Sequence, residues 1–379
     1  MKNLLLNLFT FLFCALSLSV NAQNKKQRYY HLLVGTYTRT QNQGIFVYEF
    51  DSKTGKLKLE HTTEGIKNPS YLTINKEGTK VYSVSEQETS GVSYFQFNNK
   101  TGQISYQNFQ PSPSPGGCYI SLTNDDKYVF TANYGGGSVS VFPVKANGEV
   151  APINQLIQHE GTSINERRQN KPHAHCIYPS VDGSHYYVPD LGADKVFAYQ
   201  YQADANKPLI PAKQPSIAIT PGGGPRHFIF NKKGTFAYLV EELTAHVSVY
   251  SHQNQELKQV QRISMNTPDF KGTNGAADIH LSQDGNYLYA SNRGTANEIV
   301  IFKVDKTNGT LTKIDNVSCK GKTPRNFSID PSNNFLLVAN QDSNDIFVFK
   351  RDTKTGLLIY TGETVNVGAP VCLKFTPKL

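Results

Sequence analysis

Residues 324–341 read PRNFSIDPSNNFLLVANQ, and this phrase recurs along the chain about every 50 residues. Each copy opens with Pro or a small residue, continues as a short apolar strand, turns at Asp, Asn or Gly, and enters a second strand that commonly contains Tyr. The five earlier copies begin near Pro69, Gly117, Pro172, Pro225 and Ala276. An alternating segment follows each copy, and a turn then leads into a fourth short strand.

Alternation with a period of two, frequent turn residues and the lack of a sustained helical period predict antiparallel strands in groups of four. Such groups are the blades of a β-propeller. We therefore predict an all-β fold, a seven-bladed β-propeller of four-stranded antiparallel blades. The seventh blade would combine 29–60 with 369–376, and pairing of the N- and C-terminal strands would close the ring and remove its exposed edges. The absence of Trp argues against a WD-repeat propeller.

The N-terminus has the features of a secretory signal peptide. Lys2 precedes an apolar stretch over 4–18, and small residues follow up to Ala22. We predict a signal peptide over 1–22, a single propeller domain over 23–379, and an exported protein that is periplasmic or extracellular.

Charge and cysteine content exclude several other classes. The net charge of +8 is spread over turns without a dense basic stripe, which argues against nucleic-acid binding. No apolar run beyond the N-terminus is long enough to span a membrane. The four cysteines beyond residue 22 lack zinc or redox spacing, so we expect buried free thiols, and we expect no metal, no cofactor and a monomer.

Polar residues recur where the second strand of each blade ends, on the face that also holds the start of the first strand. Aligning the strand ends gives a column of Thr36, Glu86, Asn133, Asp190, Glu242, Asn292 and Asn340. Aligning the strand starts gives Ser70, Cys118, His173, Arg226, Ala277, Arg325 and Val371. Both sets should surround one mouth of the central channel.

Basic residues gather at this predicted mouth. Arg293 follows Asn292, and His175 and His227 lie near the strand starts. Together with Glu242 and Asp190 they predict a positively biased cleft that holds an acid–base pair and suits an anionic, hydroxyl-rich ligand. The loop 161–171 could overhang the cleft with Arg168, since an arginine can grip a phosphate or carboxylate with two hydrogen bonds.

Six motifs in the same order resemble the seven-bladed propeller lactonase family, which includes bacterial 6-phosphogluconolactonases and fungal carboxy-muconate cyclases. The motifs are HAH (173–175), PDLGADKV (189–196), GGGPRHF (222–228), VEEL (240–243), SNRG (291–294) and the phrase at 324–341. The resemblance covers nearly all of 23–379. It implies that His173, Arg226 and Glu242 are catalytic, that Arg293 is a further cleft arginine, and that Arg168 and Gln169 reach the cleft.

The expected function is hydrolysis of an anionic sugar lactone without a cofactor. Glu242 or His173 would be the general base, and Arg226 and Arg293 would stabilise the oxyanion and the anionic group. Asp190 and Asn292 would orient these groups. The residues expected to bind substrate are Arg168, His175, Asp190, His227, Asn292 and Arg325. The alternatives are a lactonising cyclase of the muconate type and a non-catalytic propeller that binds a glycan or a protein. Of the adjacent Glu241 and Glu242, strand alternation favours Glu242 as the residue that faces the cleft, in the column of Asp190 and Asn292.

Overall fold

The computed structural model describes residues 27–39 and 43–379, which form 28 strands in seven four-stranded antiparallel sheets. These sheets are the seven predicted blades, and the predicted all-β propeller is confirmed. The predicted signal peptide, 1–22, lies outside the described residues. Within the described ranges there is no helix long and apolar enough to cross a membrane.

Consecutive strands of the chain form consecutive blades, except that the last strand joins the first three. Blade 7 contains β1 (Tyr29–Thr36), β2 (Gln43–Asp51) and β3 (Leu57–Glu64), and it is completed by β28 (Pro370–Pro377). Blade 1 contains β4 (Leu72–Ile74), β5 (Lys80–Ser85), β6 (Gly91–Phe97) and β7 (Ile104–Pro111). Blade 2 contains β8 (Gly117–Leu122), β9 (Tyr128–Asn133), β10 (Ser138–Pro143) and β11 (Gln155–Gln158). Blade 3 contains β12 (Tyr178–Pro179), β13 (His185–Asp190), β14 (Lys195–Tyr201) and β15 (Leu209–Ala218). Blade 4 contains β16 (Pro225–Phe230), β17 (Phe236–Glu241), β18 (His246–Gln253) and β19 (Glu256–Ser264). Blade 5 contains β20 (Ala276–Leu281), β21 (Tyr287–Asn292), β22 (Glu298–Val304) and β23 (Leu311–Ser318). Blade 6 contains β24 (Pro324–Ile329), β25 (Phe335–Asn340), β26 (Asp345–Arg351) and β27 (Leu358–Asn366).

The ring closes between the two ends of the chain, as predicted. Strand β28 pairs with β1 in antiparallel register from Tyr30 opposite Pro377 to Gly35 opposite Cys372. The C-terminal strand is therefore the innermost strand of blade 7, and the N-terminal strands lie outside it. This pairing covers one edge of β1 and one edge of β28, both of which would otherwise be exposed.

The turn between the first and second strands of blades 1 to 6 has one chemical requirement. The fourth residue of the turn adopts a positive φ. It is a glycine in blades 1, 3, 4 and 5, where it is Gly78, Gly183, Gly234 and Gly285 respectively. It is Asp126 in blade 2 and Asn333 in blade 6. Glycine has no Cβ to clash in this region, and Asp and Asn tolerate it better than most residues. This requirement explains the Asp, Asn and Gly content of the repeated phrase.

The apolar core lies between neighbouring blades, and aromatic rings meet across several of the gaps. Phe130 of blade 2 contacts Tyr186 of blade 3 edge to face, with 4.8 Å between ring centres, and Tyr187 stacks on Phe228 of blade 4 at 5.4 Å. Pairs of this kind contribute roughly 0.5–1.5 kcal/mol each beyond the area that they bury. Because every blade packs on two neighbours, the loops at the mouth of the channel stand on a rigid ring.

The cysteines of the described chain are free and buried, as expected: Cys118, Cys176, Cys319 and Cys372. Burial raises the pKa of the Cys176 thiol to about 12 and that of Cys319 to about 11. These thiols are therefore protonated at neutral pH and behave as small apolar side chains.

Candidate active site

One backbone hydrogen bond recurs in all seven blades and aligns them at the mouth of the channel. The residue after the second strand donates its N–H to the carbonyl that precedes the inner strand, over 2.7–3.1 Å. The donors, termed the rim set, are Tyr37, Glu86, Tyr134, Leu191, Glu242, Arg293 and Gln341. The residues one position earlier, termed the blade-end set, are Thr36, Ser85, Asn133, Asp190, Glu241, Asn292 and Asn340.

The predicted polar column mixed these two sets. Glu86 and Glu242 belong to the rim set, whereas Asp190 and Asn292 belong to the blade-end set. The cause is strand alternation, since a slip of one residue moves a side chain from the channel to the interior of the blade. Glu242 does line the cavity, but the residue that shares the column of Asp190 and Asn292 is Glu241.

Blade-end side chains are buried and satisfied inside their own blades. Asp190 accepts the backbone N–H of His173 over 2.7 Å and the Nδ1–H of His159 over 2.8 Å. Asn292 accepts the N–H of Gly275 over 3.1 Å. The structure does not bring the side chains of Asp190 and Asn292 into the cavity, which contradicts their predicted contact with substrate.

Glu241 shows the same structural use of a blade-end residue. Its carboxylate accepts hydrogen bonds from Ser248 over 2.7 Å and from Nη2 of Arg262 over 2.7 Å. The side chain is fully buried. Glu241 therefore holds blade 4 together, while its neighbour Glu242 points to the channel.

The start of the inner strand supplies a second ring, termed the upper channel set. Its members are Ser70, Cys118, His175, Arg226, Ala277, Arg325 and Val371. His175 occupies the position predicted for His173. In blade 3 Ala174 bridges Asp190, just as Pro225 pairs with Glu241 in blade 4. The residue after Ala174, His175, is therefore the counterpart of Arg226. Strand β12 is only two residues long, so no regular alternation marked the register there.

These sets enclose a cavity of about 330 Å³ at one mouth of the channel. It is lined by Tyr37, Glu86, Cys118, Tyr134, Arg168, His175, Glu242, Arg293 and Arg325. Sequence reasoning missed Tyr37 and Tyr134 as cavity residues. Their signal is their position, since both follow a blade-end residue as Glu242 does.

Glu242 lies at the centre of an arginine cluster. Its Oε1 accepts from Nη2 of Arg168 over 2.7 Å, and its Oε2 lies 3.0 Å from Nε of Arg226 and 2.9 Å from Nη2 of Arg293. Burial alone would raise the pKa of Glu242, but Arg293, Arg226 and Arg168 together lower it to about 2. The carboxylate is thus ionised at neutral pH and is a weak proton acceptor.

Arg226 supports this carboxylate from below. Its Nη1 donates to the carbonyl of Ala277 and lies 3.2 Å from Nε2 of His227, while its Nε donates to Glu242. Arg226 is 2% exposed and does not line the cavity. The predicted role of Arg226 as a direct clamp on substrate does not fit this position.

Arg168 reaches the cavity from the loop 161–171. Its Nη2 also donates to the hydroxyl of Tyr134 over 3.1 Å, and the side chain is 41% exposed. The neighbouring Gln169 is buried and donates to the carbonyl of Leu191 over 2.9 Å, which anchors the loop on blade 3. Gln169 itself does not line the cavity.

A second carboxylate and arginine occupy the opposite side of the cavity. Glu86 accepts the hydroxyls of Tyr37 over 2.8 Å and Ser70 over 2.5 Å. Nη2 of Arg325 is 3.9 Å from Oε1 of Glu86, and its guanidinium lies over the Tyr37 ring, 5.4 Å from the ring centre. Counting Arg226 below, four guanidinium groups face two carboxylates, so the cavity carries a net positive charge.

His175 is the histidine that lines the cavity. Its Nε2 is 3.9 Å from Oε2 of Glu242, and its Nδ1 is 3.6 Å from Sγ of Cys118. Burial, together with the charges of Arg226 and Arg325, holds the pKa of His175 well below its usual range. His175 is therefore a neutral imidazole at neutral pH.

His173 lies behind this wall. It stacks on the ring of Tyr134 with 4.4 Å between ring centres, and its Nδ1–H donates to the carbonyl of Tyr134 over 2.8 Å. Burial lowers the pKa of His173. The structure therefore gives His173 a place beside Tyr134 and outside the cavity lining.

The predicted site residues fall into three groups. Those that line the cavity are Arg168, His175, Glu242, Arg293 and Arg325. Those that support it from behind or below are His173, Arg226 and His227, and those buried in the blades are Asp190 and Asn292.

Below the cavity the channel is filled by one side chain from each blade. These residues, the lower channel set, are Tyr71, Tyr119, Cys176, His227, Asp278, Asn326 and Cys372, and all are buried. In residues 27–39 and 43–379 no cluster of three His, Cys, Asp or Glu side chains is arranged to hold a metal ion.

Comparison with known proteins places the chain in a family. The family model described as "Lactonase, 7-bladed beta-propeller" matches residues 31–375. The 6-phosphogluconolactonase of Bacillus subtilis is 34% identical over 90% of this chain and 97% of its own length. The 6-phosphogluconolactonase of Formosa agariphila is 35% identical over 86% of this chain and 94% of its own length.

A solved structure agrees with these relatives. The periplasmic gluconolactonase of Pseudomonas aeruginosa superposes with a TM-score of 0.90 at 37% identity, and the match covers 93% of this chain and all of that one. Fold and length therefore agree along nearly the whole described chain. The chain belongs to the seven-bladed β-propeller lactonase family.

Proposed function

We propose that this protein hydrolyses a sugar lactone that carries a negatively charged group, and that the cavity around Glu242 is its active site. The observation that carries the proposal is the position of the neutral His175, 3.9 Å from a carboxylate that Arg168, Arg226 and Arg293 hold ionised. The two relatives named 6-phosphogluconolactonase and the periplasmic gluconolactonase support a gluconolactone-like ring as the substrate.

The thiol of Cys118 provides a hydrogen-bond partner for Nδ1 of His175. Sγ of Cys118 lies 3.7 Å from the carbonyls of Ala174 and His175, to which the S–H can donate. Sγ can then accept the Nδ1–H of His175. In this arrangement Nε2 keeps its lone pair and points toward Glu242.

A water molecule beside Nε2 of His175 and Oε2 of Glu242 would donate one hydrogen to each. Its oxygen lone pair would then face the cavity, where the lactone carbonyl carbon binds. Both groups are weak bases in the free protein, since the pKa of Glu242 is lowered to about 2 and that of His175 lies well below its usual range. An anionic substrate that pairs with the arginines would raise both pKa values, and the neutral imidazole then serves as the base. His175 takes the proton, and the adjacent carboxylate stabilises the imidazolium that forms.

The reaction is an acyl transfer from the ring oxygen of the lactone to water. The water oxygen bonds to the carbonyl carbon while His175 Nε2 takes one of its protons, and Arg293 stabilises the oxyanion. The bond between the carbonyl carbon and the ring oxygen then breaks, and the imidazolium returns the proton to that oxygen. The product is the open-chain sugar acid.

The anionic group of the substrate would bind on the side of Arg325. The contact of this guanidinium with Glu86 is long, at 3.9 Å, and its contact with Tyr37 is through the ring face, so its N–H groups remain suited to a phosphate or carboxylate. The net positive charge of the cavity favours an anionic lactone over a neutral one.

The proposal also covers the compartment and the oligomeric state of the protein. We propose that 1–22 is removed and that the protein acts as a monomer in the periplasm or outside the cell, the first of which is the compartment named for the Pseudomonas neighbour. Mass spectrometry of the protein from its native envelope should show an N-terminus at Gln23. A chain that starts at Met1 would overturn export, and light scattering that gives a dimer mass would overturn the monomer.

The test of function is a hydrolysis assay on residues 23–379. Purified protein is mixed with 6-phosphogluconolactone or gluconolactone at mildly acidic pH, where spontaneous ring opening by hydroxide is slow, and acid release is followed. We expect turnover of the phosphorylated lactone that is lost in His175→Gln. If the parent protein opens no lactone but binds sugar acids, it is a binding protein and the proposal is wrong.

A further inference from the structure

A chain of hydrogen bonds runs from the filled part of the channel up to the proposed active site. Oδ1 of Asp278 is 2.7 Å from Nδ1 of His227, and Nε2 of His227 is 3.2 Å from Nη1 of Arg226. Arg226 in turn donates from Nε to Glu242 over 3.0 Å. Asp278, His227 and Arg226 are all buried.

The direction of each hydrogen bond follows from chemistry. A guanidinium group has no lone pair to accept with, so Arg226 donates and Nε2 of His227 accepts. The proton of the neutral imidazole then sits on Nδ1 and is donated to the carboxylate of Asp278. Burial, together with the charge of Arg226, lowers the pKa of His227 to about 4, in keeping with this neutral tautomer.

Asp278 is itself held from several sides. Its Oδ1 also accepts the backbone N–H of Ile279 over 3.0 Å, and its Oδ2 accepts from His280 over 2.9 Å, from Asn326 and from the N–H of Phe327 over 3.3 Å. These partners come from blades 5 and 6, whereas His227 and Arg226 belong to blade 4. The carboxylate therefore fixes the His227 ring relative to three blades.

Packing alone does not explain this arrangement. His227 contacts Tyr71 and Tyr119 edge to face, with 5.9 and 5.3 Å between ring centres, and an apolar ring would fill the same space. A buried carboxylate is costly even when it is hydrogen-bonded, and well-packed apolar residues would avoid that cost.

We infer that His227 and Asp278 are positioning residues of the active site, which hold the guanidinium of Arg226 against Glu242 and so fix the carboxylate beside His175. This inference rests on the proposed lactonase function. It assigns a role in the reaction to Asp278, which does not touch the cavity.

The test compares two histidines that bind the same carboxylate. His227→Phe keeps the ring packing but loses the contacts with Arg226 and Asp278. His280→Phe is the matched control, because it also loses a hydrogen bond to Asp278 but contacts neither Arg226 nor the cavity. His227→Gln is the conservative variant, since its amide can donate to Asp278 and accept from Arg226.

We expect His227→Phe to lower kcat about tenfold or more with little change in KM, His227→Gln to recover most of this loss, and His280→Phe to stay near the parent. The acid limb of the kcat/KM profile should move to higher pH in His227→Phe alone. That shift follows because Glu242, which faces Arg168, Arg226, Arg293 and His175, would lose part of its contact with Arg226. Equal losses in His227→Phe and His280→Phe with no shift of the limb would overturn the inference.

Crystal structures of the variants separate this inference from the proposed function. If the parent opens no lactone, the function is wrong, but the positioning role still predicts that Arg226 moves away from Glu242 in His227→Phe and stays in place in His280→Phe. An unchanged contact between Arg226 and Glu242 in His227→Phe would overturn the positioning role in either case.

Discussion

Arg226 donates from Nε to Oε2 of Glu242 over 3.0 Å, and it does so from a site that is 2% exposed. Glu242, by contrast, lines the cavity together with Arg168 and Arg293. One arginine therefore supports the carboxylate from inside the protein, while two others share it with the space where a substrate would bind. Removal of Arg226 should therefore lower stability more than removal of Arg168.

Arg226→Ala should lose both activity and stability. Turnover of an anionic lactone should fall at least about a hundredfold, as is typical when a preorganised charge contact is removed. Unfolding free energy should also fall, by roughly 1–3 kcal/mol, because the buried carboxylate of Glu242 loses one of its three arginine partners. The melting temperature should fall as well, because Arg226 is buried below the cavity rather than at its open mouth.

Calorimetry and steady-state kinetics check this prediction, with Arg168→Ala as the control. Arg168 donates to the same carboxylate but is 41% exposed, so its loss should lower turnover with a smaller change in melting temperature. Equal melting temperatures for Arg226→Ala and the parent would contradict the buried role of Arg226.

The adjacent glutamates should behave differently. Glu242→Gln should lower kcat roughly a hundredfold or more, because the amide cannot stabilise the imidazolium of His175, while affinity for the sugar-acid product should hold or increase. Glu241→Gln should lower the melting temperature through its contact with Arg262 and leave kcat close to the parent. Calorimetric titration with the sugar acid and initial rates test the pair, and a larger kcat loss in Glu241→Gln would show that the assignment is reversed.

The ionised state of Glu242 should make the fold sensitive to acid. Its pKa is lowered from 4.5 to about 2 in the folded protein, so its contribution to stability is complete above 4.5 and is lost as pH falls toward 2. Urea unfolding across this range should show the parent losing its advantage over Glu242→Gln below pH 4.5. A constant difference between the two proteins down to pH 2 would mean that the carboxylate is not held by the arginines.

Arg325 should distinguish charged from neutral substrates. Arg325→Gln should raise KM for 6-phosphogluconolactone by about tenfold or more, the effect of losing a charge-assisted hydrogen bond, and should raise KM for gluconolactone much less. Inhibition by 6-phosphogluconate compared with gluconate provides a second measure. The same change for both lactones would place the anionic group elsewhere in the cavity.

Deleting 369–379 should abolish cooperative folding. Strand β28 is the inner strand of blade 7 and pairs with β1 from Tyr30 to Thr36, so its loss exposes a long edge and the apolar faces of Val371 and Leu373. Thermal melting followed by circular dichroism would show a broad transition. A truncated protein that melts as sharply as the parent would contradict ring closure through this strand.

Much of the fold was predictable from the sequence, because the information is repeated. Six copies of one phrase report the same strand, turn and strand, and the positive-φ position in each turn selects Gly, Asp or Asn. The same repeated pattern predicts that the N- and C-terminal strands belong to one blade. The face that holds the site was also predictable, since strand ends and strand starts in a propeller meet at one mouth.

The residues that enter the cavity were decided by the tertiary structure. Neighbouring side chains on a strand point in opposite directions, so a shift of one residue separates Glu242 from Glu241. His175 and His173 are two residues apart, and alternation alone does not distinguish them. The short strand β12 and the bridge from Ala174 to Asp190 set the register of the two histidines. Burial of Arg226 under Glu242, and its link to Asp278 through His227, depend on three blades meeting around the channel, and a linear sequence does not contain these distances.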